Sequence, residues 1–582
     1  MKKREKKFVL AGLALLAITG LLALAGCKND TVPEPTRYRV KFETAHGTAP
    51  ADITVVSGTK LTDKDLAIEP EVGDNIFEYW YGKDDDAQKP VEEGYTVTKD
   101  VTLVAKWRDR GTVASVTFTP PTSTKFYLGE SIEVSLTSED GATIQYKLDD
   151  GEWMDYTEET PISVTTITTI TAKATKEGLK PSTETTATYT VRKLEGITVT
   201  PPARTVYSVG EEVVHQKGDE IEVTATYDDE EERTVTGTIT TDTSTLTESA
   251  GVQTVTVRYS EGGIEVSGQF EIRVLPKELT DYESPNKTGS EWTYMEFGEW
   301  PQSEALGVSP TLVDPQPENL FKGKYYSDAN GEYVEKDGKY YKVEPIVWRV
   351  LNKDYASTGN ALLLAEKILI GGIPYYHFDW EEGGPDGKEW SGPRIIGGKT
   401  IHPNNYEHSQ IRAWLNGLSY QSKESEGATQ SSKDEYKNAG FLQTAFTESA
   451  QKLIELTSVD NSVTSTFGTG ENTQENPYAC DNTKDKIFLL SEQEATNREY
   501  GFDVDNAPDI ARVRVTTDYA KATGVYQWDS SGGGWWLRSP YYGNYYYAHG
   551  VDHGGSSDDG GTVGGVYSAS VGVVPALSIS LQ

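Results

Sequence analysis

Cysteine is almost missing from this chain. Only Cys27 and Cys480 occur in 582 residues, which excludes a disulfide framework and any cysteine-built zinc cluster. Methionine is as scarce, at 3 residues. Positive charge is short too: 54 Lys and Arg face 90 Asp and Glu, a net charge of −36 that disfavours DNA or anionic lipid as a partner. The 7 histidines form no His-Glu-x-x-His pattern, and neither a Walker loop nor a Gly-x-Ser-x-Gly elbow is present. What is abundant is Gly, Tyr and Thr, the composition of an extracellular β-rich protein, and the length suggests about four domains.

A local absence is sharper. From Tyr541 to Leu577 there is no Lys, Arg, Glu, Gln, Met or Trp. Tyr, Gly, Ser, Asp, His and Asn fill the space, which is the alphabet of an antibody paratope: large amphipathic rings with few rotors, and small adaptable hydrogen-bonding residues. Codons ending in a pyrimidine cannot encode Lys, Glu, Gln, Met or Trp. Asn codons mutated at their adenines give Tyr, Asp, His, Ser and Gly beside surviving Asn. A low-complexity polar-aromatic loop is the plain alternative. Against disorder stand the flanks, Trp535-Trp536-Leu537 before and Val573-Val574-Pro575-Ala576-Leu577 after, whose apolar side chains need a core. The candidate ligand-binding residues are Tyr541, Tyr542, Asn544, Tyr545, Tyr546, Tyr547, His549, Asp552, His553, Asp558, Asp559 and Tyr567.

The amino terminus combines a basic start, an apolar run and Leu24-Ala25-Gly26-Cys27. The tetrapeptide resembles a bacterial lipobox. That resemblance makes 1–27 a lipoprotein signal, Cys27 the lipidated first residue and 28–36 a tether. It places the protein in the bacterial cell envelope, lipid-anchored and surface-exposed at the outer membrane.

Residues 37–109 begin with the alternating Tyr38, Val40 and Phe42 and end on Leu103, Ala105 and Trp107. They resemble the Listeria–Bacteroides repeat, a β-grasp-like unit. Residues 113–192, with Ile144-Gln145-Tyr146 and a Thr-rich strand at 165–175, resemble the immunoglobulin-like domain at the C-terminus of chitobiases. Residues 194–275 resemble a bacterial immunoglobulin-like domain. These modules read as a β-rich stalk, followed by a linker at 276–290 containing Pro276 and Pro285.

Residues 291–582 mix short apolar runs (Pro345 to Leu351, Ala361 to Ala365, Asp485 to Ser491) with helical patterns, an α+β class. Ser409 is expected to cap a helix carrying Ile411, Trp414 and Leu415, and a second helix is expected from Phe441 to Ile454. The motifs Phe297-Gly298-Glu299-Trp300-Pro301-Gln302, Trp348-Arg349-Val350-Leu351, Ser409-Gln410-Ile411-Arg412-Ala413-Trp414-Leu415-Asn416 and Trp535-Trp536-Leu537-Arg538-Ser539-Pro540 resemble, in this order, an uncharacterised domain family of bacterial lipoproteins and surface proteins. The ending also resembles that of retroelement-diversified variable lipoproteins, including treponemal ones. The resemblance implies a C-type-lectin-like domain, akin to formylglycine-generating enzymes, with a hypervariable surface near the C-terminus. That family usually closes Gly-Val-Arg-Pro-Ala-Leu; here Val574 replaces the arginine.

Chemistry is sparse. Formylglycine-generating enzymes use a cysteine pair, and with Cys27 lipidated only Cys480 remains, so Cys480 reads as an incidental thiol. Asp552, Asp558 and Asp559 offer oxygens to calcium, but without an EF-hand spacing, and His549 and His553 lie among glycines rather than on a helix. No cofactor or metal is therefore expected, and Arg538 reads as a guanidinium holding backbone carbonyls. The expectation is a non-catalytic surface lipoprotein binding an extracellular protein or glycan. A secreted carbohydrate-active enzyme and a purely structural envelope protein are the alternatives. Cys27→Ser should abolish incorporation of labelled palmitate and leave the unprocessed precursor; an unlabelled, freely secreted wild type would refute the lipid anchor.

Overall fold

The computed structural model describes residues 34–66, 75–285, 292–317, 323–376, 393–422, 431–469, 475–529, 532–558 and 564–581. Cys27, the tether as far as residue 33, and Asp559 lie outside them. The protein is β-rich and multidomain, and divides into two compact units, Met1–Val191 and Arg192–Gln582.

In the first unit, strand Arg37–Glu43 turns Val40 and Phe42 inward and leaves Lys41 in water. It pairs antiparallel with Ile53–Val56 and parallel with Val101–Asp109, within a four-stranded sheet completed by Asn75–Gly82. Trp80 is 1% exposed and meets Phe42 edge-on at 4.9 Å, so this ring is core. Beyond it, a five-stranded and a three-stranded sheet enclose Val134, Leu136, Ile162, Ile170, Ala187 and Tyr189, the arrangement of a β-sandwich. Threonines suit such strands because a branched β-carbon packs well on a pleated surface; in Thr168–Thr175 they alternate with buried Ile170, Ala172 and Ala174.

The second unit ties the 194–275 domain and the segment after it to the C-terminal domain. Residues 194–275 do form their own six-stranded sheet, whose longest hairpin turns at Gly262-Gly263, with φ of +57° and +83°, as a two-residue turn of this hand requires. Yet this domain is not a detached stalk segment. Val252 belongs to the hydrophobic core of the C-terminal domain, and the Arg273 guanidinium donates to the Ser580 carbonyl at 3.1 Å. Gly251 approaches Ser449 so closely that an added Cβ would lie 2.6 Å from its Oγ. The expected linker is structured as far as it is described, to residue 285: Lys277–Leu279 pairs with Tyr294–Glu304, and buried Ser284 donates to Glu366 at 2.5 Å. Prolines at 276 and 285 suggested a break, but the peptide groups of Lys277–Leu279 find partners on a sheet edge.

The C-terminal domain is built on a nine-stranded sheet. Its long strand Lys339–Asn352 pairs with Tyr294–Glu304 and with Asn360–Ala365. The chain's last strand, Ala576–Ser580, inserts between Asn360–Ala365 and Ile487–Phe488. Leu362, Leu363 and Leu364 are wholly buried, as a continuous apolar run in a central strand must be. Val574 is buried in the same core.

Ser409 caps helix Gln410–Asn416, accepting from the Arg412 amide, and Ile411, Trp414 and Leu415 face inward. The helix expected over 441–454 is instead two pieces, Phe441–Ala445 and Glu448–Gln451. Phe446 adopts extended backbone, its ring packs 4.9 Å from Phe297, and Thr447 restarts the helix by capping Ala450. Ser491 and Glu494 likewise form a capping box, and the helix they open ends at Ala495.

A smaller sheet joins Trp535–Pro540, Ala548–Val551 and Ser557–Asp558. Trp535, Trp536 and Leu537 are entirely buried. Trp536→Ala should destabilise unit Arg192–Gln582 by about 3–5 kcal/mol, read as a lowered denaturation midpoint; an unchanged midpoint would show that this strand does not anchor the domain.

Candidate ligand-binding surface

The loops around the smaller sheet contain little regular structure, so many of their carbonyls need donors. Buried arginines supply them. Arg512 donates to the carbonyls of Gly555 (2.8 Å), Ala495 (3.2 Å), Asp503 (3.1 Å), Asp505 (3.0 Å) and Ala507 (2.5 Å). Arg538 donates to the Leu489 carbonyl at 2.6 Å and the Asp460 carbonyl at 3.1 Å, and forms an ion pair with Glu494. It therefore ties the start of the tyrosine-rich stretch to the main sheet, as the sequence suggested. Burial alone would lower the Arg538 pKa, but the Glu494 carboxylate outweighs it and raises it. Arg349 and Arg514 share the wholly buried Glu366: burial would raise that carboxyl, yet the two guanidiniums hold it below the usual range.

The stretch then leaves the core as a loop locked at its base. Buried Asn404 donates from Nδ2 to the Tyr547 carbonyl at 3.0 Å and the Tyr541 carbonyl at 3.4 Å, while the Tyr541 amide donates to the Tyr547 carbonyl at 3.2 Å. Asn544 closes the tip, its Oδ1 accepting from the Tyr546 amide at 3.0 Å. Val566 joins the far half of the stretch to this loop, donating to the Tyr546 carbonyl at 2.9 Å.

On this base stands an aromatic surface. The Tyr545 and Tyr546 rings are 4.4 Å apart, with Tyr545 donating its hydroxyl to Tyr546 at 3.1 Å. That hydrogen bond, followed by partial desolvation, raises the Tyr545 pKa, so the phenol is neutral at physiological pH. His402 lies 5.4 Å from Tyr545 and 4.9 Å from Tyr478. Burial lowers the His402 pKa, which keeps this patch uncharged at neutral pH. Tyr542 is 40% exposed beside Phe467, at 5.7 Å, and Tyr567 is 58% exposed.

Not every candidate reaches this surface. His549 is 5% exposed; it points into the domain with Nδ1 3.4 Å from buried Glu492, so it is corrected from surface contact to interior residue. The reason is its place on strand Ala548–Val551, whose residues are all buried. Tyr541 is half-buried and packs 5.9 Å from His549. Asp552 is half-buried and directs Oδ1 to the amides of Gly554 and Ser556, both at 2.8 Å, so it shapes a turn. His553 is half-buried in that turn, Tyr547 is half-buried at the loop base, and Asp558 ends the last strand of the sheet. Conversely, His402, Asn404, Phe467 and Tyr478 join the surface or its base without any sequence signal. They lie more than sixty residues from Tyr541 or on separate loops, and no spacing marks them.

Among the described residues no group of three His, Cys, Asp or Glu side chains could hold a metal ion. Burial pushes the Cys480 thiol up to about 11, which leaves it protonated and a poor nucleophile. The arrangement offers stacking faces, hydroxyls and amides.

Residues 358–581 match a family model described as a domain of unknown function (DUF6273). No curated protein matches the chain in sequence. Among solved structures, the chain is similar to Sidekick-1 immunoglobulin domains 1–4 at 10% identity, covering 41% of this chain and 76% of that one, with a TM-score of 0.14. It is similar also to Drosophila OTK extracellular domains 3–5 at 11% identity, covering 40% of this chain and 96% of that one, with a TM-score of 0.12. Scores this low carry no argument about fold or ligand.

The geometry makes Asn404 the lock of the loop. Asn404→Ala removes a donor from the Tyr541 carbonyl and leaves the Tyr547 carbonyl only the Tyr541 amide, at a cost of about 1–3 kcal/mol. It should speed hydrogen exchange across 541–547 while the amides of Trp535 to Leu537 stay protected. Equal protection of the loop in both proteins would refute the assignment.

Proposed function

We propose that this protein is a lipid-anchored bacterial envelope protein whose C-terminal domain binds an extracellular protein or glycan without transforming it. The observation that carries the reading is the aromatic surface of Tyr542, Tyr545, Tyr546, Tyr567, Tyr478 and His402, raised on a loop whose backbone is fixed from beneath. Large amphipathic rings on a rigid base suit recognition, because little conformational entropy is lost when they are covered.

The domain is read as C-type-lectin-like. Its closing strand lies within the main sheet, and a second small sheet carries the irregular binding loops, an arrangement that agrees with this reading. Diversification of the stretch is part of the same proposal. Tyr542, Asn544, Tyr545, Tyr546 and Tyr567 are positions where side chains can change without disturbing buried neighbours, whereas Ala548 to Val551 are not. The β-domains at 37–109 and 113–192 would serve as spacers between membrane and binding domain.

The double variant Tyr545→Ser, Tyr546→Ser should fold, with stability changed by no more than about 1 kcal/mol. Its affinity for a ligand returned by a glycan-array or host-surface screen of the wild type should fall by more than about thirtyfold, as expected when paired aromatic anchors are lost. Undiminished binding would place the site elsewhere, and unfolding would show that the tyrosines are core.

A further inference from the structure

A second site shares no residue with the tyrosine surface. A cleft of about 580 Å³ lies between the 194–275 domain and the C-terminal sheet, a volume typical of small-molecule sites. Its floor is apolar: Tyr325, Val343 and Ala250 are partly exposed, and buried Phe297, Phe446 and Ala445 lie behind them. Gly298, with φ of +70°, makes this floor possible, because a Cβ there would stand 2.5 Å from the Phe446 ring.

The rim is acidic. Glu248, Glu296, Glu299, Glu332 and Glu448 line the cleft, with Lys277 the sole basic residue among the lining side chains. Elsewhere in this unit, surface carboxylates hold cations: Glu304 pairs with Lys339 at 2.9 Å and Glu271 with Lys452 at 3.5 Å. None of the five rim carboxylates has an ion pair among the described residues. Burial, and then repulsion from Glu332, raises the Glu299 carboxyl pKa. A merely solvated acidic face would not line a cleft whose walls come from two domains, Val209 and Ala250 from one and Tyr325 and Val343 from the other.

Two unfavourable features thus coincide, carboxylates crowded together and apolar surface left in water. An inorganic ion would relieve only the first, and a neutral apolar molecule only the second. A ligand with positive heads on a methylene chain relieves both. We propose that this cleft binds an aliphatic polyamine, its chain on the partly exposed Tyr325, Val343 and Ala250 and its ammonium groups among the carboxylates. The site stands independently of the tyrosine surface, and the two can fail separately.

The test is titration calorimetry of the full chain with spermidine. Saturable binding of one molecule is expected, weakened by roughly fivefold or more in Glu299→Gln and again in Glu332→Gln, the scale of one partly exposed charge contact. Lys277→Ala, which removes a like charge at an exposed position, should tighten binding, and this variant decides the matter should the glutamine variants fail to fold. Ethylenediamine, which has fewer ammonium groups and lacks the longer methylene chain, should bind more weakly. Affinity should fall on acidification, beginning above the ordinary glutamate range because Glu299 protonates early. Tyr545→Ser should leave spermidine binding unchanged. The proposal is overturned by an absence of saturable heat, by unchanged affinity in all three cleft variants, or by magnesium displacing spermidine at equal ionic strength.

Discussion

The C-terminal domain depends on charge buried as guanidinium and satisfied mostly by backbone. Arg349, Arg512, Arg514 and Arg538 are each no more than 2% exposed. A guanidinium carries five donors in a rigid plane and stays charged when desolvated, so it can hold several loop carbonyls at once. That is what this domain needs, because its loops bring carbonyls inward without a helix or ladder to pair them. Even Arg514, which burial and the neighbouring Arg349 push down to about 9, remains cationic at neutral pH. The net worth of such buried charge is smaller than its Coulomb energy suggests, since desolvation opposes it; removal of one member is what costs most.

This economy separates scaffold from surface. The arginines bind main chain, so the backbone of the loops is fixed whatever side chains they display. Arg512 grips the Gly555 carbonyl beneath the Asp552 turn, and Arg538 grips the carbonyls of Leu489 and Asp460 just before the tyrosines begin. Asn404 repeats the device on a smaller scale. A loop held by its peptide groups tolerates exchange of its outward side chains, which is the physical condition a variable recognition surface has to meet. The interior residues of the same stretch, Ala548 to Val551, do not meet it, since they are buried on a strand paired with Trp535–Pro540.

Much of the architecture is legible in particular residues. The alternation of Val40 and Phe42, the paired glycines at 262 and 263, the Ser409 cap and the double tryptophan at 535 and 536 each act through local rules that a linear sequence displays. Other features resisted the same rules. Pro276 and Pro285 resemble linker punctuation, yet the segment between them completes a sheet, because pairing is decided by whichever edge is free nearby. The apolar pattern from Phe441 to Ile454 fits one helix, yet Phe446 abandons helical backbone to pack against Phe297. His549 belongs to the polar alphabet of its neighbours, yet it lies inside.

By itself the sequence determined the kind of protein this is: β-rich domains in series and a terminal domain closed by apolar anchors around a tyrosine-rich stretch. It could do so because hydrophobic periodicity, turn residues and helix caps act over a few neighbouring positions. Only the tertiary structure decided which of those tyrosines face outward, that His402 and Tyr478 stand with them, and that the 194–275 domain and the C-terminal sheet enclose a cleft. Those outcomes depend on contacts between residues tens to hundreds of positions apart, such as Asn404 with Tyr547 and Arg273 with Ser580, and no local pattern encodes which distant partner a side chain will meet.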